Sequence, residues 1–162
     1  MDLAQFSPNS RVWVYTSNRS FSSEEVLALN QQIESFTKGW TAHNQQLKAT
    51  GTLLHSRLLV LVVDETQAGA SGCSIDSSVH FIQELGKQYQ CDFFTRELVG
   101  LPSNDLVRWV NFKEIPTLLA DGQINGDTLM LDTLAKDLKE LNRWEKPLSA
   151  SWLNRYLKSS VS

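Results

Sequence analysis

The stretch that most constrains the fold of this chain is "LLVLVVD", which runs from Leu58 to Asp64. Residues Leu58 to Val63 are all apolar, so an extended strand here would be apolar on both of its faces. Such a strand is typical of the interior of a sheet, with neighbours on each side. The run is far too short for a helix that crosses a bilayer, which needs about 20 apolar residues. It therefore predicts a central, buried strand.

The residues before this run predict another strand and an amphipathic helix. "RVWVYTS" (Arg11–Ser17) is β-branched, aromatic and apolar on both alternating faces, which predicts a buried strand. Ser22 and Glu25 have the spacing of a capping box, which predicts a helix that continues to about Lys38. Gly39 stands where this helix should end.

The segments on either side of the central run complete the predicted order of strands and helices. A strand at Thr52–Leu54 and a turn at His55 and Ser56 predict a hairpin with the strand Arg57–Asp64. A helix is then predicted from about Ser74 to Tyr89. The resulting order, β-α-β-β-α-β, predicts an α+β protein with a ferredoxin-like core. A three-layer α/β arrangement is the alternative.

The rest of the sequence predicts an extension of the same domain. We expect one domain over residues 1–162, with its core at about 10–100 and the extension at about 101–162. "RELVGL" and "LVRWVNF" predict a hairpin, followed by a short helix near Lys113–Ala120 and a strand in "DTLML". Leu134, Leu138 and Leu141 have helical spacing, and "SASWLNRYLKS" predicts a final amphipathic helix.

The charge pattern argues against several classes of function. The net charge is −3 and Lys and Arg form no cluster, so we expect no binding of nucleic acid. The first ten residues contain neither a basic start nor an apolar segment, so we expect no signal peptide, no membrane insertion and a cytoplasmic protein. The three His have no ligand-type neighbour at metal spacing, so no metal site and no cofactor are expected. Asp64 and Glu65 form a conceivable carboxylate pair for a metal, although strand-end acids are more often solvated caps.

The stretch "GASGCSIDSS" (Gly69–Ser78) most resembles a functional site. We expect the first and third strands of the predicted core to lie side by side and parallel, so the loops after them would emerge at one edge of the sheet. Ligands favour the carboxyl ends of strands, and a Gly-rich loop that enters a helix offers N–H groups to an anion. The predicted site for a small anionic ligand comprises Asn18, Arg19, Gly69, Ser71, Gly72 and Ser74.

A capped helix start is the favoured alternative interpretation of this loop. Gly69 and Gly72 would then only provide turn conformations with positive φ, and Ser71 or Ser74 would be the N-cap. Asp76, expected in the first helical turn, would compete with an external anion for the helix dipole.

Cys73 raises the question of a thiol-dependent enzyme. A thiol at a helix N-terminus can be activated towards the thiolate, but a nucleophile also needs a base within hydrogen-bond reach. We expect His55 and His43 at the far end of the sheet, about 25 Å away, and His80 two turns along the same helix. A buried, inert Cys73 is therefore the favoured interpretation. Cys91 is expected about 27 Å away, beyond disulfide reach.

The aromatic residues near the C-terminus have two alternative interpretations. Trp13 and Trp40 are expected in the core. Trp144, Trp152 and Tyr156 either cover the core or form a surface for a protein partner or a homodimer.

Several segments resemble a known family. "RVWVYTSNRSFSSEEV", "LLVLVVDETQAGASGCSIDSSVHFIQELG" and "DTLMLDTL" are similar to an uncharacterised bacterial family that is often labelled "ABC transporter ATPase". The resemblance implies no catalytic residues. The chain has no G-x-x-x-x-G-K-[ST] phosphate loop and no L-S-G-G-Q, so hydrolysis of ATP by a P-loop mechanism is not expected. "FKEIPTLLADGQINGDTLML" is similar to part of a GYF-type adaptor module, without the aromatic motif that defines ligand binding there.

These observations predict a binding or interaction protein with a pocket at the Gly69–Ser74 loop. A thiol-dependent enzyme that uses Cys73, and a structural subunit of a homo-oligomer, are the alternatives.

Overall fold

The central run forms the middle strand of a three-stranded antiparallel sheet in the computed structural model, which describes residues 2–159. This strand, β5 (Leu58–Asp64), is buried along its whole length. It pairs with β1 (Arg11–Thr16) on one side and with β4 (Lys48–Leu54) on the other. The prediction of a central, buried strand is therefore confirmed.

The expected parallel pairing of the first and third predicted strands is wrong. β1 and β5 are neighbours, but they run antiparallel, with Thr16 opposite Leu58 and Arg11 opposite Val63. The connections explain the direction. The helix after β1 returns the chain so that β4 runs the same way as β1, and the tight β4–β5 hairpin then reverses it. As a result, the segments that follow β1 and β5 leave the sheet at opposite ends.

The described part of the chain divides into two compact units. The first comprises residues 2–95 together with Leu134–Asn142, and the second comprises residues 96–133 and 143–159. The elements of the first unit are β1, α1 (Ser23–Lys38), β2 (Thr41–Ala42), β3 (Gln45–Gln46), β4, β5, α2 (Gly72–Gln88) and α4 (Leu138–Leu141). Both long helices were expected, and the α+β class is confirmed.

The two long helices pack on one face of the sheet. Leu29 and Ile33 of α1, with Ile82 and Leu85 of α2, are buried in a core that also takes the side chains of β5 at alternate positions. The rings of Phe36 and Phe81 stack between the helices, with centroids 4.3 Å apart. α1 begins as predicted, because the Ser22 hydroxyl accepts a hydrogen bond from the Glu25 N–H and the Glu25 carboxylate accepts one from the Ser22 N–H.

The second unit is built from two small antiparallel hairpins and short helices around its own core. The predicted hairpin is present, with Gly100 opposite Trp109. A Cβ at Gly100 would lie 3.0 Å from the Trp109 ring, so this position accepts only glycine without local adjustment. Its elements are β6 (Leu98–Ser103), β7 (Leu106–Asn111), α3 (Ile115–Ala120), β8 (Leu129–Leu131), β9 (Glu145–Pro147) and α5 (Asn154–Ser159), with 3₁₀ turns at Phe112–Glu114 and Leu148–Ala150.

The helix predicted from Leu134, Leu138 and Leu141 is shorter than its pattern. α4 begins after Asp137, whose side chain accepts the Glu140 N–H as N-cap, so Leu134 lies outside it and is 67% exposed. Within residues 2–159, no helix has the length and apolar character needed to cross a membrane.

Candidate functional site

The residues of the predicted ligand site lie at the two opposite ends of α2. Gly69–Ser74 leads into the N-terminal end of this helix. Asn18 and Arg19 lie at its other end, because Arg19 donates hydrogen bonds to the Tyr89 carbonyl, just after α2. The 17 residues of α2 span about 25 Å. The expected meeting of Arg19 with the Gly69–Ser74 loop is therefore wrong, and the antiparallel direction of β5 is the reason.

The N-terminal end of α2 is closed by short-range contacts. Ser71 is the N-cap: its hydroxyl accepts the Ser74 N–H at 3.1 Å, and the Ser74 hydroxyl accepts the Ser71 N–H at 2.7 Å. A carboxylate oxygen of Glu65 accepts the Ala70 N–H at 2.8 Å. This oxygen would lie 3.2 Å from a Cβ at Gly69. The loop therefore already holds a carboxylate of its own chain where an external anion was expected.

Two details of this helix start differ from the prediction. α2 begins at Gly72, two residues earlier than predicted, so Asp76 is not in its first turn, which carries no acidic side chain. Among the glycines in the described ranges, only Gly122 has positive φ, so neither Gly69 nor Gly72 supplies a left-handed turn. The start of α2 is set by serine capping instead.

Cys73 is exposed, so the expectation of a buried cysteine is wrong. The inward face of α2 is taken by Ser74, Ser78 and Ile82, and Cys73 falls on the outer side of the first turn. The position expected for His43 at the far end of the sheet is wrong, because Trp40, three residues before it, donates its indole N–H to the Ser74 carbonyl in the first turn of α2 at 2.8 Å. The distant positions expected for the other two histidines hold. His55 lies in the β4–β5 turn, at the far end of β5, and His80 is seven residues further along α2, about 10 Å away. Cys73 therefore has access to solvent, and His55 and His80 are too distant to act as its general base.

Arg19 acts as a clamp between the C-terminal end of α2 and the start of α1. Its Nε and Nη2 donate to the Tyr89 carbonyl at 3.1 and 2.9 Å, and Nη1 donates to the Ser20 carbonyl at 3.0 Å. The guanidinium also binds both carboxylate oxygens of Glu25, at 3.1 and 2.6 Å. These contacts use all five N–H groups of the side chain. Arg19 therefore has no donor left for the predicted anion.

The pairing with Arg19 also changes the acidity of Glu25. The hydrogen bond from Arg19, followed by those from the Ser22 backbone, lowers the pKa of Glu25 to about 2. Glu25 thus serves both as the capping-box acid of α1 and as the counter-ion of the clamp.

An open cleft of about 750 Å³ lies at the C-terminal end of α2 and includes Asn18. Asn18 holds the chain on one side of the cleft, because it exchanges two hydrogen bonds of 2.9 Å with the backbone of Asp92. On the other side, the Cys91 carbonyl passes so close to Gly86 that a Cβ there would lie only 2.7 Å from it. These two contacts fix the path of the segment that walls the cleft.

The cleft combines an apolar floor with a polar rim. Ile82 and Phe93 are buried beneath it, whereas the Phe94 ring is 38% exposed and meets the Tyr15 ring edge-on at 5.5 Å. Such a mixture is typical of a site for a small organic molecule. The polar lining side chains are Asn18, Gln83, Lys87, Gln90 and Asp92.

Cys91 is half-buried in the wall of this cleft, and sequence reasoning missed it as a site residue. Burial raises the pKa of the Cys91 thiol, so the thiol is protonated at neutral pH. Nothing in the sequence reveals this role, because it depends on the contact of Asn18 with Asp92, 74 residues later.

Asp64 and Glu65 act as structural carboxylates. Asp64 is buried and accepts hydrogen bonds from the N–H groups of Ser7 and Thr66 and from the Thr66 hydroxyl, with Lys48 at 3.6 Å. These contacts, led by the one from Ser7, lower the pKa of Asp64 to about 2. No group of three or more metal-ligating side chains occurs within the described residues.

The C-terminal aromatic residues have different environments. Tyr156 packs against the core of the second unit, Trp144 is half-buried and Trp152 is 38% exposed. Trp152 is therefore the most accessible ring of this group.

Comparisons with protein-family models, with curated proteins and with solved structures found no match.

Proposed function

We propose that this protein is a binding protein whose ligand occupies the cleft at the C-terminal end of α2. The observation that carries this proposal is the cleft itself, an open volume of about 750 Å³ with apolar side chains beneath amide and charged groups. The ligand class that fits is a small, planar organic molecule. Its ring would lie against Phe94, and its polar groups would meet the amides of Asn18, Gln83 or Gln90.

The two free thiols of the chain provide the test. Cys91 lies in the cleft wall, whereas exposed Cys73 lies outside it at the other end of α2. Aromatic amides and aromatic carboxylates would be screened for slowing the alkylation of each thiol by iodoacetamide, followed by mass spectrometry. We expect compounds that bind the cleft to protect Cys91 and to leave the rate at Cys73 unchanged.

A substitution that fills the cleft sharpens the experiment. Gln83 is an exposed lining residue on α2, so Gln83→Trp should abolish ligand protection of Cys91 without disturbing the core. Ser77→Trp places the same side chain at an exposed position of α2 outside the cleft and should leave protection intact. Equal protection of both thiols, or protection that survives Gln83→Trp, would count against the proposal.

A thiol-dependent enzyme is the second candidate, and the exposure of Cys73 favours it. The same alkylation, measured for Cys73 against pH, separates the candidates. Rapid reaction of Cys73 at neutral pH would support an enzyme. Reaction only at about pH 8.5 or above, where an ordinary thiol ionises, would exclude the thiol-dependent enzyme.

We also infer that the chain belongs with the bacterial proteins that its sequence resembles, and that it does not hydrolyse ATP by a P-loop mechanism. For the fold, we infer an incomplete ferredoxin-like core. The support is that β1 and β4 run in the same direction with β5 between them. The core is incomplete because no fourth strand pairs with the other edge of β1 within the described residues. That edge forms only two isolated β-bridges, from Thr16 to Phe94 and from Arg11 to Asp137.

A further inference from the structure

A patch of rings and cations in the second unit stands apart from the cleft. It is formed by Phe112, Lys113, Trp152, Arg155 and Tyr156, which we call the cation–aromatic patch. The Phe112 and Trp152 rings meet at a centroid distance of 6.0 Å. The patch brings together residues that are 40 positions apart in the sequence, and the proposed cleft function does not use any of them.

Both cations of the patch lie against aromatic rings. The Arg155 guanidinium lies 5.6 Å from the Trp152 ring centroid and 4.9 Å from that of Tyr156, and it donates a 2.9 Å hydrogen bond to the Tyr156 hydroxyl. The Lys113 ammonium lies 6.0 Å from the Phe112 ring centroid. These contacts hold the cations on a planar apolar surface.

The ion pairs found in the part of the chain that the structure describes do not include Lys113 or Arg155. Lys113 and Arg155 are exposed, and Trp152 is 38% exposed. The patch therefore presents two exposed cations beside an accessible indole, and arginine and tryptophan are both enriched at the energetic centres of protein interfaces.

We propose that the cation–aromatic patch binds a short acidic peptide segment of a partner protein. Carboxylates of the segment pair with Lys113 and Arg155, and an apolar or aromatic side chain packs on Trp152. An acidic peptide is the proposed ligand because its negative charge is complementary to the two cations of the patch. A nucleic acid fits less well, because its continuing phosphates would extend over the rest of a chain with net charge −3, and two cations supply few phosphate contacts.

Fluorescence anisotropy with a labelled peptide, acetyl-Glu-Glu-Trp-Glu-Glu-amide, tests the proposal on the full chain. We expect saturable binding that weakens as salt increases, and no binding of the matched peptide in which Lys replaces each Glu. The double variant Lys113→Gln and Arg155→Gln should weaken binding by about tenfold or more. Arg143→Gln removes an exposed cation of the same unit outside the patch and should leave the affinity unchanged.

Several outcomes would overturn the proposal. They are equal binding of the Lys peptide, an affinity that the double variant leaves unchanged, tighter binding of a single-stranded oligonucleotide, or concentration-dependent self-association that the double variant abolishes. Arg155→Lys keeps the charge but loses the planar stacking group, so it should retain part of the affinity. Far-ultraviolet circular dichroism would verify that each variant is folded.

Discussion

The two ends of α2 are closed in different ways, and the difference bears on where a ligand can bind. At the N-terminal end, the loop before the helix is capped by contacts of Ser71 with Ser74 and of Glu65 with Ala70, which are at most five residues apart. One long-range contact, from the Trp40 indole to the Ser74 carbonyl, is added to these caps. At the C-terminal end, Arg19 reaches Tyr89 across 70 residues. Short-range caps satisfy the polar groups of a loop and leave few hydrogen-bonding groups for a ligand. Long-range contacts bring separate segments together and leave a cleft between them.

The two glycines of α2 provide the strongest test of this comparison. At Gly86 a Cβ would lie 2.7 Å from the Cys91 carbonyl, whereas at Gly72 no atom lies within 4 Å of the added Cβ. We expect Gly86→Ala to lower the free energy of unfolding by about 3 kcal/mol, because the backbone of the cleft wall must move. Gly72→Ala should raise it by about 0.5 kcal/mol, because alanine restricts the unfolded chain.

Urea unfolding followed by tryptophan fluorescence measures both glycine changes. Equal stability of the two variants would mean that the segment at Cys91 adjusts freely, and that the C-terminal end of α2 is no more constrained than the N-terminal end.

Acid titration separates the buried carboxylate of Asp64, at the end of β5, from the half-buried carboxylate of Glu25 at the clamp. The folded pKa of Asp64, about 2, lies below its usual value near 4, so the unfolded chain binds this proton first as the pH falls. The stabilisation, about 2 kcal/mol, is therefore complete above about pH 4 and is lost between pH 4 and pH 2. Asp64→Asn should be less stable than the native chain at pH 7, and this difference should vanish near pH 2.

Salt provides the control for this titration. Glu25 also has a lowered pKa, but its side chain is 32% exposed whereas Asp64 is buried, so added salt should screen the pairing of Glu25 with Arg19. A pH dependence that survives in Asp64→Asn and disappears in high salt would assign the acid sensitivity to the clamp instead.

Replacement of Arg19 is expected to destabilise the protein less than Gly86→Ala. Arg19→Met removes charged hydrogen bonds to the Tyr89 carbonyl at a partly exposed site and should cost about 1–2 kcal/mol. Lysine has only three donors on a single nitrogen and cannot reproduce the planar fork that binds Glu25, Ser20 and Tyr89, so Arg19→Lys should recover only part of this loss. Alkylation of Cys91 should become faster in Arg19→Met while that of Cys73 stays the same. Equal acceleration at both thiols would show that the helix loosens as a whole.

The sequence pattern predicted most elements but not their meeting points. The Ser22–Glu25 capping box and the central strand follow from neighbouring residues, and both are confirmed. The candidate site was misplaced because a single strand direction decides which loops share an edge. Cys73 was misjudged because helix periodicity from an approximate start does not settle which side of the first turn faces the core.

The amino-acid sequence by itself determined the α+β class, the central strand from Leu58 to Asp64 and the serine-capped start of α2, because these depend on hydrophobic periodicity and on bonds between near neighbours. Only the tertiary structure decided that Arg19 closes the far end of α2 and that Asn18 and Cys91 line a cleft there. It also decided that Leu134–Asn142 returns to the first unit. Contacts of this kind depend on the path of the whole chain, because the partners come together only after the sheet has set the direction of each segment.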